Sequence, residues 1–240
     1  MAAKSLPANS LSSFDRAALY GIIDSLGKAG KIYENEVQFQ FDLAWEIRKL
    51  FVCTVYLEEL TSVVGGKKSY TDIVLDDGKI RIAIELKYKT AKLQDGTHYL
   101  KEQGATDLGR YDYLRDIHRL EELVGTTSIF VPERKKIDLF RKCDKGFAVF
   151  LTNDEAYWKN HNWTKGNKPA YADFCFEDGG SPIVGKKHVW GLPTPPSPYR
   201  PHDVELHKDY DYEWRDYAKV IDNNGNCMKN GHFRYVAVEV

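Results

Sequence analysis

The chain has 240 residues, 42% of them hydrophobic and 29% charged, with a formal net charge of −1. These proportions fit a globular protein; they exclude a low-complexity tail and a coat for nucleic acid held by bulk positive charge, though not a local basic surface. No run approaches the ~18 apolar residues of a membrane span, and residues 1–30 hold no uninterrupted apolar stretch ahead of a small-residue cleavage site, so a cytoplasmic protein with no membrane partner is expected.

The first dozen residues are small and polar and read as frayed. Over 13–26, Phe14, Ala17, Ala18, Ile22 and Leu26 recur at helical spacing, with Gly27 as the stop. A second helix is predicted over 34–51, with Val37, Phe41, Ala44, Trp45 and Leu50 as its stripe. Its opening turn carries Glu34 and Glu36, where the helix dipole favours acids. A strand over 54–60 follows. The stretches 69–75 and 80–89 then flank Asp76-Asp77-Gly78-Lys79. Asp-Gly between alternating runs signals a hairpin, because a two-residue type I′ turn needs positive φ at both central positions.

A long helix is predicted over 103–124, with Leu108, Tyr111, Leu114, Ile117, Leu120 and Val124 inward, and 147–152 reads as a short buried strand. From about 154 to 205 Gly, Pro, Asn and aromatics mix without period, and 193–201 is nearly polyproline. An alternating strand over 233–240 closes the chain. Cys53, Cys143, Cys175 and Cys227 show no metal spacing and read as reduced thiols. The expected architecture is one α/β (α+β) domain over 1–240, layered on a mixed sheet, with its core in about 33–152 and 233–240.

With Asp77-Gly78 as the turn, Ile73 faces Ile82 and Asp72 faces Ala83. Strand alternation then gathers Thr71, Ile73, Leu75, Ile80, Ile82, Ile84, Leu86 and Tyr88 on a core face. Asp72, Val74, Arg81, Ala83, Glu85 and Lys87 share the other. Asp72 and Glu85 become diagonal neighbours, about 7–8 Å apart at Cα, so their carboxylates can tilt onto one divalent ion, with Ala83 leaving it room. Lys87 follows on the same face. A hairpin whose charged face simply meets water would carry the same residue types. Against that, Asp is a poor strand former, yet Asp72 interrupts an apolar run, and the flanking helices have apolar surface enough to cover the sheet.

Asp72, followed thirteen positions later by Glu85-Leu86-Lys87, resembles the signature of the PD-(D/E)xK nuclease superfamily, the restriction-endonuclease-like fold. The resemblance implies a three-layer core, a central mixed β-sheet flanked by helices, laid out as helix, meander, helix and strand over about 33–152. Thr71 stands where that signature usually has Pro. By the same resemblance Asp72 and Glu85 would hold Mg2+, or Mn2+ in its place, with the Leu86 carbonyl as a further ligand. Lys87 would face the attacking water and the scissile phosphate. Glu36 matches the acid many members carry on the helix before the meander, with Glu34 and Glu46 as weaker matches, and Gln103 resembles a supporting Gln.

Lys68, Lys89, Arg110 and Arg115 would extend a basic rim, and Glu133-Arg134-Lys135-Lys136 with Arg141, Lys142 and Lys145 forms a further basic segment. The function implied is phosphodiester hydrolysis by a metal-dependent endonuclease, with DNA the first substrate to expect and a homodimer one way to cut both strands. The alternative is a non-catalytic nucleic-acid-binding or partner protein on the same fold. Tyr157, Trp158, Trp163 and Trp190 invite a base-stacking reading, but aromatics in an irregular segment more often pack it against the body. His161, His188, His202, His207 and His232 are scattered, and none is assigned to catalysis.

Overall fold

The computed structural model describes residues 9–64, 67–125, 142–161, 163, 167–191, 200 and 203–240. Helix α1 (Arg16–Lys28) begins at Asp15, whose carboxylate accepts the Ala18 amide. Helix α2 (Glu36–Leu50) begins at Asn35, whose side chain accepts the Gln38 amide. Each cap satisfies an amide that the first turn cannot bond internally. A meander of β1 (Thr54–Val64), β2 (Lys67–Asp76) and β3 (Arg81–Lys89) follows. Helix α3 (Thr106–Gly125) precedes β4 (Lys145–Thr152), and β5 (Arg215–Ile221) with β6 (Cys227–Glu239) completes the sheet.

The strand order is β5-β6-β4-β3-β2-β1. β3 and β4 run parallel and the other neighbouring pairs antiparallel, so this is a mixed sheet. Alternation along the central strands gives it two apolar faces. Ile82, Ile84, Leu86 and Tyr88 pack with Phe147, Val149 and Leu151 under α1 and α2. Ala83, Ala148, Phe150, Val236 and Val238 pack under α3. Helices therefore cover both sides, which is why β4 reads as an unbroken apolar run.

The hairpin between β2 and β3 forms with a different turn from the one predicted. Ile73 faces Ile84 and Val74 faces Ala83, a slip of two residues in register. The turn is Gly78-Lys79, with the Asp77 amide donating to Ile80 O at 3.3 Å. Asp77 is drawn out of the turn because its carboxylate accepts the amides of Lys79 (2.9 Å) and Ile80 (2.8 Å). Gly78 supplies the positive φ, +85°. A slip of two keeps every side chain on its expected face, and the core face is buried as read, apart from a half-buried Ile80.

Helix α2 turns a different stripe inward. Phe39, Gln40, Leu43, Ala44 and Ile47 are buried, whereas Val37, Phe41 and Trp45 are 68%, 56% and 54% exposed and Leu50 is exposed too. The opening residues are not frayed from Asn9 onward. Asn9–Ser10 pairs in parallel with Phe51–Val52, and Leu11 and Phe14 are fully buried.

Strand β5 was not foreseen. Bulges between Asp216 and Ala218 and between Lys219 and Ile221 break the alternation that would have marked it. Within the aromatic segment, Tyr157, Phe174, Phe176 and Ile183 join the core on the α3 side. Trp158 and Trp190 are partly buried against that core, so packing, not a base-stacking platform, accounts for them. The polyproline-like stretch (Arg200 apart), His202 and the basic run 133–136 with Arg141 lie outside the described residues. Among the described residues no helix is long and apolar enough to cross a membrane.

Candidate functional site

The ladder between β2 and β3 runs from Asp76↔Arg81 to Ile73↔Ile84. Past that point two carboxylates bond the amides of β3. Asp72 Oδ2 accepts the Leu86 amide at 2.6 Å, and Glu36 Oε2, from the first turn of α2, accepts the Tyr88 amide at 2.7 Å. The sheet splits here, and the split lets an acid from the α2 layer reach the strand. Glu36 is thereby set apart from Glu34, which is exposed, and from Glu46, which pairs with Lys49 at 2.7 Å.

Gln40, one turn after Glu36, fixes the arrangement. Its Nε2 donates to Asp72 O at 2.6 Å and to Glu58 Oε1 at 2.8 Å. Glu58 stands between Leu57, which faces Ile73, and Glu59, which faces Thr71, so it lies across from Asp72. Its φ of +50° is left-handed. That conformation costs a non-glycine residue about 1 kcal/mol, and here the strain sits beside the acids.

On the α3 side Glu85 is 2% exposed, with Oε1 2.9 Å from Arg119 Nη2. Asp116 lies between the two cations: Oδ2 is 2.6 Å from Lys87 Nζ and Oδ1 is 3.3 Å from Arg119 Nη1. Lys87 also donates to the Leu86 carbonyl at 3.0 Å, the oxygen the resemblance assigns to a metal. Asp72, Glu85 and Lys87 thus meet as expected, together with Glu36.

The charges act on one another. Burial pushes the Asp72 carboxyl up to about 6, with the Leu86 amide and Lys87 pulling the other way. Burial likewise raises Glu36, against Lys87, and raises Glu85 well above the carboxylate range, reinforced by Asp116. For Lys87 burial works against the charge, but Asp116, Glu36 and Asp72 outweigh it and its pKa is raised. Arg119 behaves in the same way, held by Glu85 and Asp116 against burial.

Other expected members are dispersed. Lys89 is close enough to Glu36 to favour its anion. Lys68 and Arg115 line a groove of about 480 Å³ beside α3, with Lys67, His118 and Arg119. Gln103 lies ahead of α3, its backbone amide on Thr90 O at 2.8 Å. Arg110 is not on a basic rim: it is 1% exposed, donates to Ala156 O, and stacks among Tyr157, Tyr171 and Phe176. An arginine on an amphipathic helix usually faces water, but here the aromatic segment covers it. Ala83, expected opposite Asp72 with room for an ion, instead faces Val74 and is fully buried under α3.

Asp116 and Arg119 were missed. Asp116 falls in step with the buried positions Tyr113, Ile117 and Leu120, and an acid on an apolar stripe was the available signal. Arg119 offered none, because only the docking of α3 brings it to Glu85. A scan against protein-family models and searches of curated proteins and of solved structures found no match to this chain.

Proposed function

We propose that this chain is a divalent-metal-dependent nuclease acting on DNA, in which Asp72, Glu85 and Glu36 hold the metal and Lys87 faces the scissile phosphate. The observation that carries this reading is the meeting of Glu36, Asp72, Glu85 and Asp116 around Lys87, with three of those acids raised by burial. If all four carboxylates were ionised, as a bound cation favours, they would carry −4 against +2 from Lys87 and Arg119, an excess that one divalent ion would balance. The donors are all oxygens, a set that suits Mg2+ or Mn2+. Glu85 is buried, while Glu36, Asp72 and Lys87 are half-buried.

When bound, such an ion acidifies a water and neutralises a phosphate oxygen. The protein's own contribution is positional and electrostatic. Asp72 and Glu36 are pinned by backbone amides, so their carboxylates do not wander. Lys87 is held charged by Asp116, so it orients water and offsets phosphate charge; a lysine with a raised pKa is a poor general base. Asp116 is a positioning residue. The groove lined by Lys67, Lys68, Arg115 and Arg119 offers cations to a phosphate backbone next to the site.

The test is incubation of supercoiled, linear and single-stranded DNA, and RNA, with Mg2+, Mn2+ or EDTA. Divalent-dependent nicking is expected, reduced at least ~100-fold in Asp72→Asn and in Lys87→Gln. No cleavage of any substrate would sink the proposal. A second reading has its own observation. The Lys87–Asp116 and Arg119–Glu85 pairs neutralise each other without an ion, as in a site kept only for structure. DNA binding without turnover would favour it.

A further inference from the structure

Outside the carboxylate cluster, we propose a zinc site built from His118, Glu121 and His207. His118 and Glu121 lie one turn apart on α3 and share a face. The chain returns to that face 86 residues after Glu121, at His207. The three residues offer ligand atoms that all lie within 4.8 Å of one another. The two imidazole rings are stacked, with centroids 6.0 Å apart and planes at 23°.

Glu121 is the fixed point. It is 7% exposed and accepts the His207 amide (2.9 Å), the Lys208 amide (3.1 Å) and the Tyr210 hydroxyl (2.6 Å). Its Oε2 also lies 3.0 Å from His207 Nδ1. In the metal-free protein this contact is a hydrogen bond from Nδ1–H; zinc would displace that proton, so that Nδ1 and Oε2 both face the ion. His118 Nδ1 is buried with no hydrogen-bond partner among the described residues. Its Nε2 is 3.6 Å from Glu122 Oε1, a further oxygen donor.

Two neutral imidazoles with a carboxylate suit Zn2+, not Mg2+. With Zn–N distances near 2.0–2.1 Å, neighbouring ligands in a tetrahedral shell stand about 3.3 Å apart, so side-chain rotations of about an ångström close the cluster. The His207 side chain, 64% exposed, has room to make them. A bound zinc would tie the segment around Val204–Glu205 to the helix that carries Asp116 and Arg119.

The experiment uses the full chain, stripped with chelator and titrated with Zn2+ alone. Bound metal per chain, calorimetry and thermal denaturation are the readouts. One zinc per chain at this site and a higher Tm are expected, with affinity falling at least ~10-fold in His207→Ala and in His118→Gln and unchanged in His98→Ala. His207→Ala removes an exposed side chain, so its metal-free Tm should match the parent. The proposal is overturned by no zinc uptake or by undiminished uptake in both histidine variants. It also falls if zinc is lost in Asp72→Asn and kept in His207→Ala. Metal content is read without cleavage, so this site and the nuclease reading stand or fall separately.

Discussion

Asp72 carries an energetic cost that pH exposes. Its folded-state pKa, about 6, lies above the ordinary 3.8, so the native state takes up the proton first. The stability gained from that proton is complete below pH 3.8 and is lost as pH rises through about 6. Without metal, Asp72→Asn should therefore be the more stable protein at pH 7.5, by at most about 3 kcal/mol, with the advantage gone by pH 4. Urea denaturation in EDTA across that range reads it; an advantage independent of pH would place the cost elsewhere. Lys87→Ala carries a second consequence beyond lost cleavage. It leaves the buried Asp116 without its 2.6 Å partner, so a stability loss of about 3 kcal/mol is expected in the same denaturation experiment. Of this cluster, Asp72, Glu85 and Lys87 were legible because one hairpin ties them together, and Glu36 through the family resemblance alone. Asp116 and Arg119 reach the site from a helix whose approach no local pattern encodes.

At the scale of elements, existence was more legible than facing. In α2, Val37, Phe41 and Trp45 repeat every four residues, and so do Phe39, Leu43 and Ile47. Periodicity alone offers both stripes. The choice is made by Glu36 and Gln40, which lie on the side of Leu43 and Ile47 and bond the sheet. In the hairpin, the Asp77 carboxylate moved the turn by one residue, a side-chain effect that dipeptide preference does not contain. Helix α3 packs closely on the aromatic segment at Gly109, where an added Cβ would collide with the Tyr157 hydroxyl. Gly109→Ala should cost about 1–3 kcal/mol by overpacking, despite alanine's better helix propensity. Thermal denaturation would show it, and a stabilised variant would mean that Tyr157 yields easily.

Over the whole molecule, the two covered faces explain what the sequence half-revealed. Apolar helices on both sides of the hairpin foretold that the Asp72 face is not a solvated one. The second core, however, is closed by Tyr157, Phe174 and Phe176 from a stretch with no period to read. The outer face of α2 has the opposite character: Phe41 and Trp45 stack at 6.3 Å while mostly exposed. Replacing both with serine should change stability by no more than about 1 kcal/mol in total, as judged by Tm. A larger loss would show that the stripe is covered in solution.

The splitting of β2 from β3 after Ile84 has a spectroscopic corollary. The amide hydrogens of Leu86 and Tyr88 are guarded by side chains where a neighbouring strand would ordinarily do so. Their exchange with deuterium is therefore coupled to whatever occupies the acids. A ligand that drew Asp72 or Glu36 away would speed exchange at one or both positions while the rest of β3 stayed slow. Two backbone signals would then report occupancy directly, with no substrate turned over.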